Sequence, residues 1–320
     1  MDSATLGGTS LGELDLQLLH ALHLDGRAPF SRIAEVLGVS DRTAARRFAR
    51  LRAARRPGHG RPRQPRLRPR RVARPAPRAT PAAADLAREL ARRPDTAWVT
   101  VLSSGTEIVF IVRAPAGRAA PLAGLARHPR ILGVEAHRLL RHLMEHRWPG
   151  RTSALTGEQV AALRPAPGGV AAPIALNDLD RGCSPSWPPT AGPPIRGWPS
   201  RVGWSESAVR RRLEELRRSG ALRFDVEVDP VLLGFPAQCL IWLAVAPSRL
   251  ASTARALAAD PQAAFVGAVT GPHNLLVIAV CRDEDALYAY LSDRLGSLDG
   301  VERVETAPIT SYAKRVAPPT

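Results

Sequence analysis

The stretch LGELDLQLLHALHLDGRAPFSRIAEVLGVSDRTAARRFARL, residues 11–51, decides the fold of the first part of the chain. Leucines recur at helical spacing in its opening half, and Gly26 ends this first helix. A short second helix is predicted over residues 30–37, followed by a glycine turn in which Ser40 is a good N-cap. A third helix over residues 41–53 completes a helix-turn-helix.

The third helix carries a stripe of arginines. Arg42, Arg46 and Arg50 are spaced by four residues and lie opposite the apolar face of the helix. No acidic residue occurs from Arg42 to Arg56. Positive charge on the helix after the turn predicts recognition of double-stranded DNA. The alternative is a small helical bundle with a solvated basic face.

The same pattern returns about 165 residues later, which indicates an internal repeat. Leu14-Asp15 recurs as Leu179-Asp180, Gly38-Val39-Ser40 as Gly203-Trp204-Ser205, and Arg46-Arg47 as Arg211-Arg212. The chain is therefore two copies of one unit of roughly 160 residues. In copy two the third helix follows Ser205 and presents Arg210 and Arg211, and residues 221–230 alternate as a wing would.

The second part of each unit alternates strands and helices. In copy two, strands are predicted over 238–245, 263–269, 275–280 and 301–309, with helices over 248–259 and 283–295. The order βαββαβ predicts a four-stranded antiparallel sheet with helices on one face, so the fold class is α+β. The open sheet face is a natural dimer surface, and the two modules of one chain are expected to pair as an intrachain pseudo-dimer or within a homo-oligomer.

Six segments follow from these patterns. They are a helix-turn-helix (11–54), an Arg/Pro-rich tract (55–80), a partial sheet module (81–147), a linker (148–175), a second winged helix-turn-helix (176–236, aberrant over 181–200) and a second sheet module (237–314).

Much of the net charge of +16 lies outside these repeats. Residues 53–80 hold ten arginines, six prolines and no acid, and residues 164–199 hold nine prolines. Taken literally, both tracts are disordered linkers. We hypothesise instead that both are compensated frameshifts in the gene or its sequencing, because residues 181–200, read in a shifted frame, align with the first two helices of copy one. A damaged, non-functional product is then an alternative.

The frameshift hypothesis has structural consequences. Copy one would keep its helix-turn-helix but lose its wing and the first strand of its sheet. Copy two would keep its third helix and whole sheet module but lose helices one and two. Arg210 and Arg211 would then contribute less to specific binding than Arg42, Arg46 and Arg50.

On these residues the chain resembles the Lrp/AsnC family of transcriptional regulators. The resemblance rests on the opening stretch in copy one. In copy two it rests on VGWSESAVRRRLEELRRSGALRFDVEVDPVLLGF (202–235) together with the βαββαβ order. The resemblance implies a winged helix-turn-helix that binds operator DNA and a ferredoxin-like (RAM-type) module that dimerises, each present twice. The implied DNA-binding residues are Ser40, Asp41, Arg42, Thr43, Arg46, Arg47, Arg50, Ser205, Ser207, Arg210 and Arg211.

The resemblance also implies an amino-acid effector near the turn between the second and third strands of each module. In copy two these residues are Gly271, His273 and Asn274, and in copy one Ser104, Gly105 and Glu107. Asn274 stands where the family usually has an acid, which puts recognition of an amino-acid ammonium group there in doubt, whereas Glu107 holds the matching place in copy one.

Other classes of protein are set aside. No apolar run approaches the ~20 residues of a membrane span, no secretory signal opens the chain, and the three cysteines form no disulfide or zinc pattern, so a cytoplasmic protein is expected. His142 and His146 fit an H-x-x-E-H metalloprotease pattern but follow a strand, so no catalytic residue, metal or cofactor is predicted. The competing enzymatic reading is a sirohaem decarboxylase, which has a similar architecture and uses histidines and arginines in its ligand cavity.

Overall fold

The computed structural model describes residues 11–26, 28–54, 70–77, 80–93, 95–113, 125, 129, 131–144, 154–164, 205–218 and 230–315. The helices are α1 (Glu13–Leu24), α2 (Phe30–Leu37), α3 (Asp41–Ala54), α4 (Thr80–Arg92), α5 (Gly157–Leu163), α6 (Glu206–Arg218), α7 (Leu250–Ala258) and α8 (Glu284–Ala289). The strands are β1 (Arg70–Pro77), β2 (Thr96–Leu102), β3 (Glu107–Arg113), β4 (Ile131–His142), β5 (Ala237–Val245), β6 (Ala263–Val269), β7 (Leu275–Cys281) and β8 (Val301–Lys314).

The chain divides into two units, which we call the helical unit and the sheet unit. The helical unit comprises Met1–Leu67 and Thr152–Asp229, and the sheet unit comprises Arg68–Arg151 and Pro230–Thr320. None of the described helices combines the length and apolarity that a membrane crossing requires.

In the helical unit, α1, α2 and α3 form the predicted helix-turn-helix. Leu18, Leu22 and Ile33 are almost completely buried between them, and the rings of Phe30 and Phe48 lie 5.4 Å apart. Gly38 ends α2 with a left-handed φ of 65°, a conformation that glycine adopts without steric cost. The three helix boundaries predicted from the sequence agree with the structure to within two residues.

Helix α5 lies inside the stretch predicted as a linker (148–175). Its Thr156 N-cap accepts a hydrogen bond from the Gln159 backbone, and the Gln159 side chain closes a capping box. The flanking Leu155 and Leu163 are buried, so part of this stretch is folded. The linker prediction missed it because a seven-residue helix gives little periodicity beside a proline-rich tract.

The sheet unit contains two modules with the same strand order. Module 1 has the order β4-β1-β3-β2 and module 2 the order β8-β5-β7-β6, and all neighbours are antiparallel. Strand β2 also pairs with β8, and β4 with β6, so the eight strands close into one barrel. The two modules thus pair within one chain in this structure, which is one of the two arrangements expected from the sequence.

Three hydrophobic cores hold the sheet unit together. Helix α4 covers one sheet with Leu86 and Leu90, and α7 covers the other with Leu257. The third core lies between the sheets, where Trp242 and Leu102 come from different modules. The apolar sheet faces that would be open in single modules are thus buried against each other.

Strand β1 corrects the prediction that copy one loses the first strand of its sheet. It lies within the Arg/Pro-rich tract and contains Pro75 and Pro77. Because these prolines are two residues apart, their missing N–H groups face the same side of the strand. Strand β3 pairs only with residues 70–73, whereas β4 pairs along the whole strand, so the proline half has a partner on one side only.

Several sequence predictions lie outside the described residues. They are the rest of the first tract (55–69), the aberrant stretch 181–200, helices one and two of copy two, and the wing over 221–229.

Candidate functional site

The turn between α2 and α3 sets the start of the third helix. The hydroxyl of Ser40 accepts a hydrogen bond from the backbone N–H of Thr43 at 3.2 Å and lies 2.9 Å from the Thr43 hydroxyl. The predicted N-cap is therefore present. Asp41 follows in the first turn, where a carboxylate interacts favourably with the helix dipole. Ser40 and Asp41 are exposed, and Thr43 is half-buried.

The arginines of α3 fall into two groups. Arg42 and Arg46 are exposed. Arg47 and Arg50 instead reach back to Asp15 on α1, where Arg47 Nη1 lies 3.1 Å from Oδ1 and Arg50 Nη2 lies 2.6 Å from Oδ2. All three arginines of the predicted stripe are exposed, and Arg50 keeps half of its side chain exposed while it pairs with Asp15.

Asp15 is a residue whose role the sequence reasoning missed. Its carboxylate is fully buried and also accepts the backbone N–H of Gly12 at 3.2 Å. A signal was available, because an aspartate among the leucines of an apolar helix face requires a buried partner.

In copy two the corresponding helix α6 begins in a similar way. The Ser205 hydroxyl accepts the backbone N–H of Ala208 at 3.2 Å and lies 3.0 Å from the Ser207 hydroxyl. Arg211 is exposed, and the side chain of Arg210 lies outside the described residues. Arg212 forms an ion pair at 2.8 Å with Glu215 one turn later.

Hydrogen bonds hold the turn of module 2 that is predicted to bind an effector, residues Thr270–Asn274. Asn274 Nδ2 donates to the Val245 carbonyl at 2.7 Å, and Asn274 Oδ1 accepts the Val245 N–H at 3.0 Å. Asn274 therefore holds the end of β5 and uses both polar ends of its amide. Its amide cannot supply the negative charge that an ammonium group requires.

A histidine from module 1 covers this turn. His137 on β4 is buried, and its Nδ1 hydrogen-bonds with the Thr270 carbonyl at 2.7 Å. Its ring leaves no room for a side chain at Gly271, because a Cβ there would lie 2.5 Å from His137 Nδ1. Gly271 also has a φ of 114°, which favours glycine.

The rings of His137 and His273 both lie near Trp242. The ring of Trp242 is 5.2 Å from the ring of His137 and 6.4 Å from that of His273. Each histidine has a glutamate nearby, with His137 Nε2 3.6 Å from Glu135 and His273 Nε2 3.8 Å from Glu305. The side chain of His273 is largely covered, with 14% of its surface exposed.

The matching turn of module 1 is built differently. Ser103, Ser104 and Gly105 all have positive φ values, and the Ser104 N–H donates to the Thr310 hydroxyl at 2.9 Å. Glu107 begins β3 opposite Leu102 and is half-buried. This turn keeps a carboxylate at the position where module 2 has an amide.

Residues 142–144 of the H-x-x-E-H pattern are not helical, and its last two residues lie outside the described residues. Strand β4 continues through His142, whose ring packs against Phe265 at 5.1 Å. Within the described part of the chain, no group of three or more His, Cys, Asp or Glu side chains is placed to hold a metal ion.

Two family models match the chain. The AsnC-type helix-turn-helix domain matches residues 11–52, and the Lrp/AsnC ligand binding domain matches residues 238–318. The HTH-type transcriptional regulator FL11 of Pyrococcus horikoshii is 30% identical over 114 residues, which are 35% of this chain and 75% of that protein. An HTH-type transcriptional regulator of Pyrococcus abyssi is 29% identical over 115 residues, 36% of this chain and 73% of that protein.

A solved structure also matches. The siroheme decarboxylase NirDL superposes with a TM-score of 0.58 at 15% identity, and the match covers 95% of this chain and 93% of that chain. At this identity the likeness shows a shared fold.

Proposed function

The chain belongs to the Lrp/AsnC family, and on that premise we propose that it is a transcriptional regulator that binds operator DNA through α3. One observation carries the proposal: Arg42 and Arg46 are exposed one turn apart on the helix that follows the glycine turn. A regulator of this kind acts where the DNA is, so a cytoplasmic location belongs to the same proposal.

The mechanism assigns separate roles to the residues of α3. The N-terminal half of a recognition helix enters the major groove, so Asp41, Arg42 and Thr43 are the residues that contact base edges. Arg46 follows one turn later and contacts phosphate oxygens, and the N–H groups of the first turn do the same. Phosphate contacts fix the register of the helix, and base contacts select the sequence.

Fluorescence anisotropy with a duplex from the gene's own upstream region tests this function. We expect binding that weakens with salt, and the double change Arg42→Ala/Arg46→Ala should reduce affinity at least tenfold. The control Arg138→Ala/Arg303→Ala removes the same two charges from exposed positions of the sheet unit. Equal loss in both variants, or no duplex binding by the unaltered chain, would overturn the proposal.

We further propose that an amino-acid effector binds at the Ser103–Glu107 turn rather than at the Gly271–Asn274 turn. Support comes from chemistry, because Glu107 supplies a carboxylate for an ammonium group. The amide of Asn274 is already engaged with Val245, and His137 occupies the space above Gly271. Calorimetric titration with the common amino acids tests this idea, with Glu107→Gln expected to abolish binding and Asn274→Ala expected to preserve it.

One observation favours a second candidate function, that of a sirohaem decarboxylase. His137 and His273 both lie near Trp242. A sirohaem decarboxylase would need such histidines to bind the carboxylates of its tetrapyrrole. Tetrapyrrole absorbance in the purified protein and loss of carboxyl groups from added sirohaem, followed by mass spectrometry, would favour the enzyme. Salt-dependent duplex binding without either signal favours the regulator.

A further inference from the structure

The first turn of α1 holds a buried anion that is neutralised by the recognition helix. Asp15 is fully buried, and its two oxygens accept hydrogen bonds from Arg47, Arg50 and the N–H of Gly12. A carboxylate out of water is tolerated only when charged partners and hydrogen bonds compensate it. The two guanidinium groups supply the charge, and the N–H supplies the remaining bond.

The geometry restrains the rotation of α3. Arg47 and Arg50 are three residues apart and therefore lie on one face of the helix. Both must point toward the start of α1 to reach Asp15, and this fixes which face of α3 turns away from the unit. Arg42, Arg46 and Arg50 are all exposed, and of these three Arg50 also pairs with Asp15.

We propose that Asp15 is a positioning residue for DNA recognition. By pairing with Arg47 and Arg50 it orients α3, and a phosphate must compete with the Asp15 carboxylate for these two guanidinium groups. Arg42 and Arg46 then carry the contacts to DNA. This inference rests on the proposed function for its DNA part and on the ion pairs alone for its structural part.

Copy two provides an internal comparison. At an offset of 165 residues, Arg212 corresponds to Arg47 and Glu215 corresponds to Arg50. Arg212 pairs with Glu215 on its own helix at 2.8 Å. Because position 215 is acidic, α6 cannot clamp a carboxylate with two arginines as α3 does. A pair of arginines at these two positions is thus found in copy one and not in copy two.

The salt dependence of binding measures how many phosphates the protein contacts. Each contact adds about 0.9 to the slope of log affinity against log salt concentration. In Asp15→Asn the carboxylate charge is gone, and Arg47 and Arg50 are released toward a short duplex of random sequence. The slope should therefore steepen by up to about 1.8, and preference for the upstream sequence over the random duplex should fall.

A matched control is Glu13→Gln, which removes the same charge from an exposed position of α1. This variant should keep the slope and the sequence preference of the unaltered chain. If Asp15→Asn stays folded and also keeps both, the proposal is wrong.

Single arginine variants cover the case in which Asp15→Asn fails to fold. Arg47→Gln and Arg50→Gln should lower the melting temperature by several degrees and leave the salt slope nearly unchanged. Arg46→Gln should reduce the slope by about 0.9, and Arg42→Gln should reduce the preference for the upstream sequence, both without changing the melting temperature. An Arg50→Gln variant that loses slope at an unchanged melting temperature would overturn the proposal.

The two proposals fail in different ways. If the unaltered chain binds neither duplex, the proposed function fails. The melting temperatures of the Arg47, Arg50, Arg42 and Arg46 variants still decide whether Asp15 orients α3.

Discussion

Asn274 illustrates how one atom changes the role of a residue. An aspartate at this position would be expected to face an ammonium group, but the asparagine uses its N–H to bond the Val245 carbonyl. The sequence revealed the substitution but not its purpose, because Val245 lies 29 residues away and only the fold brings it near.

We predict that Asn274→Asp destabilises the sheet unit at neutral pH by about 1–3 kcal/mol, since a carboxylate cannot donate and would face a carbonyl oxygen. The stability should recover partly as the pH falls toward the ordinary carboxyl pKa of about 3.9, where the protonated group donates again. Urea unfolding at several pH values measures both effects. Equal midpoints for the variant and the unaltered chain at neutral pH would contradict the role assigned to the amide.

Gly271 lacks a side chain, and this allows the ring of His137 to approach its backbone closely. We predict that Gly271→Ala costs about 1–3 kcal/mol, because it imposes a strained φ and a clash with the imidazole. Gly133→Ala is the control, since a Cβ there meets no atom within 4 Å. The double variant Gly271→Ala/His137→Ala separates the causes, because it removes the clash and keeps the strain. If the single variant at Gly271 unfolds at the same urea concentration as the control, the close approach of His137 does not constrain the turn.

At the scale of elements, the periodicity of apolar residues predicted most of the helices and strands. The strands of module 2 were predicted to within one residue at their starts because buried apolar runs bounded by turns are unambiguous there. The last strand extends to Lys314 rather than residue 309, because its second half pairs with β2 of the other module. Strand β1 was missed because its backbone pairing overrides an arginine- and proline-rich sequence that disfavours strands.

Helix α5 docks on the helix-turn-helix through groups that the sequence could not pair. Gln159 Nε2 donates to the Val36 carbonyl at 3.2 Å, and Arg32 Nη2 donates to the Ala162 carbonyl. At its start, the Leu155 N–H donates to His20 Nδ1 at 3.3 Å. That last bond requires a neutral imidazole, because a protonated histidine has no acceptor nitrogen.

The docking of α5 should therefore depend on pH. Burial lowers the pKa of His20 below its ordinary value of 6.5 in the folded chain. The unfolded chain then binds more protons, so the stabilisation is complete above pH 6.5 and is lost as the pH falls through the lowered pKa. The protection of residues 154–164 against hydrogen exchange, taken relative to the intrinsic exchange rate at each pH, should therefore fall over that range.

Two variants isolate the histidine responsible. His20→Gln should remove this part of the pH dependence. His23→Gln should retain it, because His23 Nδ1 lies 2.9 Å from the Leu19 carbonyl and donates to it in either charge state. An unchanged pH dependence in His20→Gln would assign the effect to other groups.

At the scale of the whole molecule, closure of the barrel is the feature that no local pattern specifies. The repeat predicted two modules, and the open sheet face predicted that they pair, but register and closure depend on the long last strands. The first half of β8 pairs with β5, and its second half pairs with β2 of module 1. Each module thus supplies an edge that the other covers, and the two should unfold as one cooperative unit.

Lys314 reports on this closure because it is the only lysine in the chain. It ends β8 in module 2, and its buried ammonium donates to the Arg93 carbonyl at 2.8 Å and the Thr96 hydroxyl at 3.1 Å in module 1. An amine-reactive reagent should therefore modify Lys314 only when the barrel opens. Mass spectrometry of digests across a urea series should show the adduct rising with the loss of amide protection in both β2 and β7. If Lys314 in the native chain reacts as fast as in the urea-unfolded chain, the lysine is accessible and does not report on closure. If the adduct appears at lower urea concentrations than the loss of amide protection in β7, the modules separate before either unfolds and the barrel is not one cooperative unit.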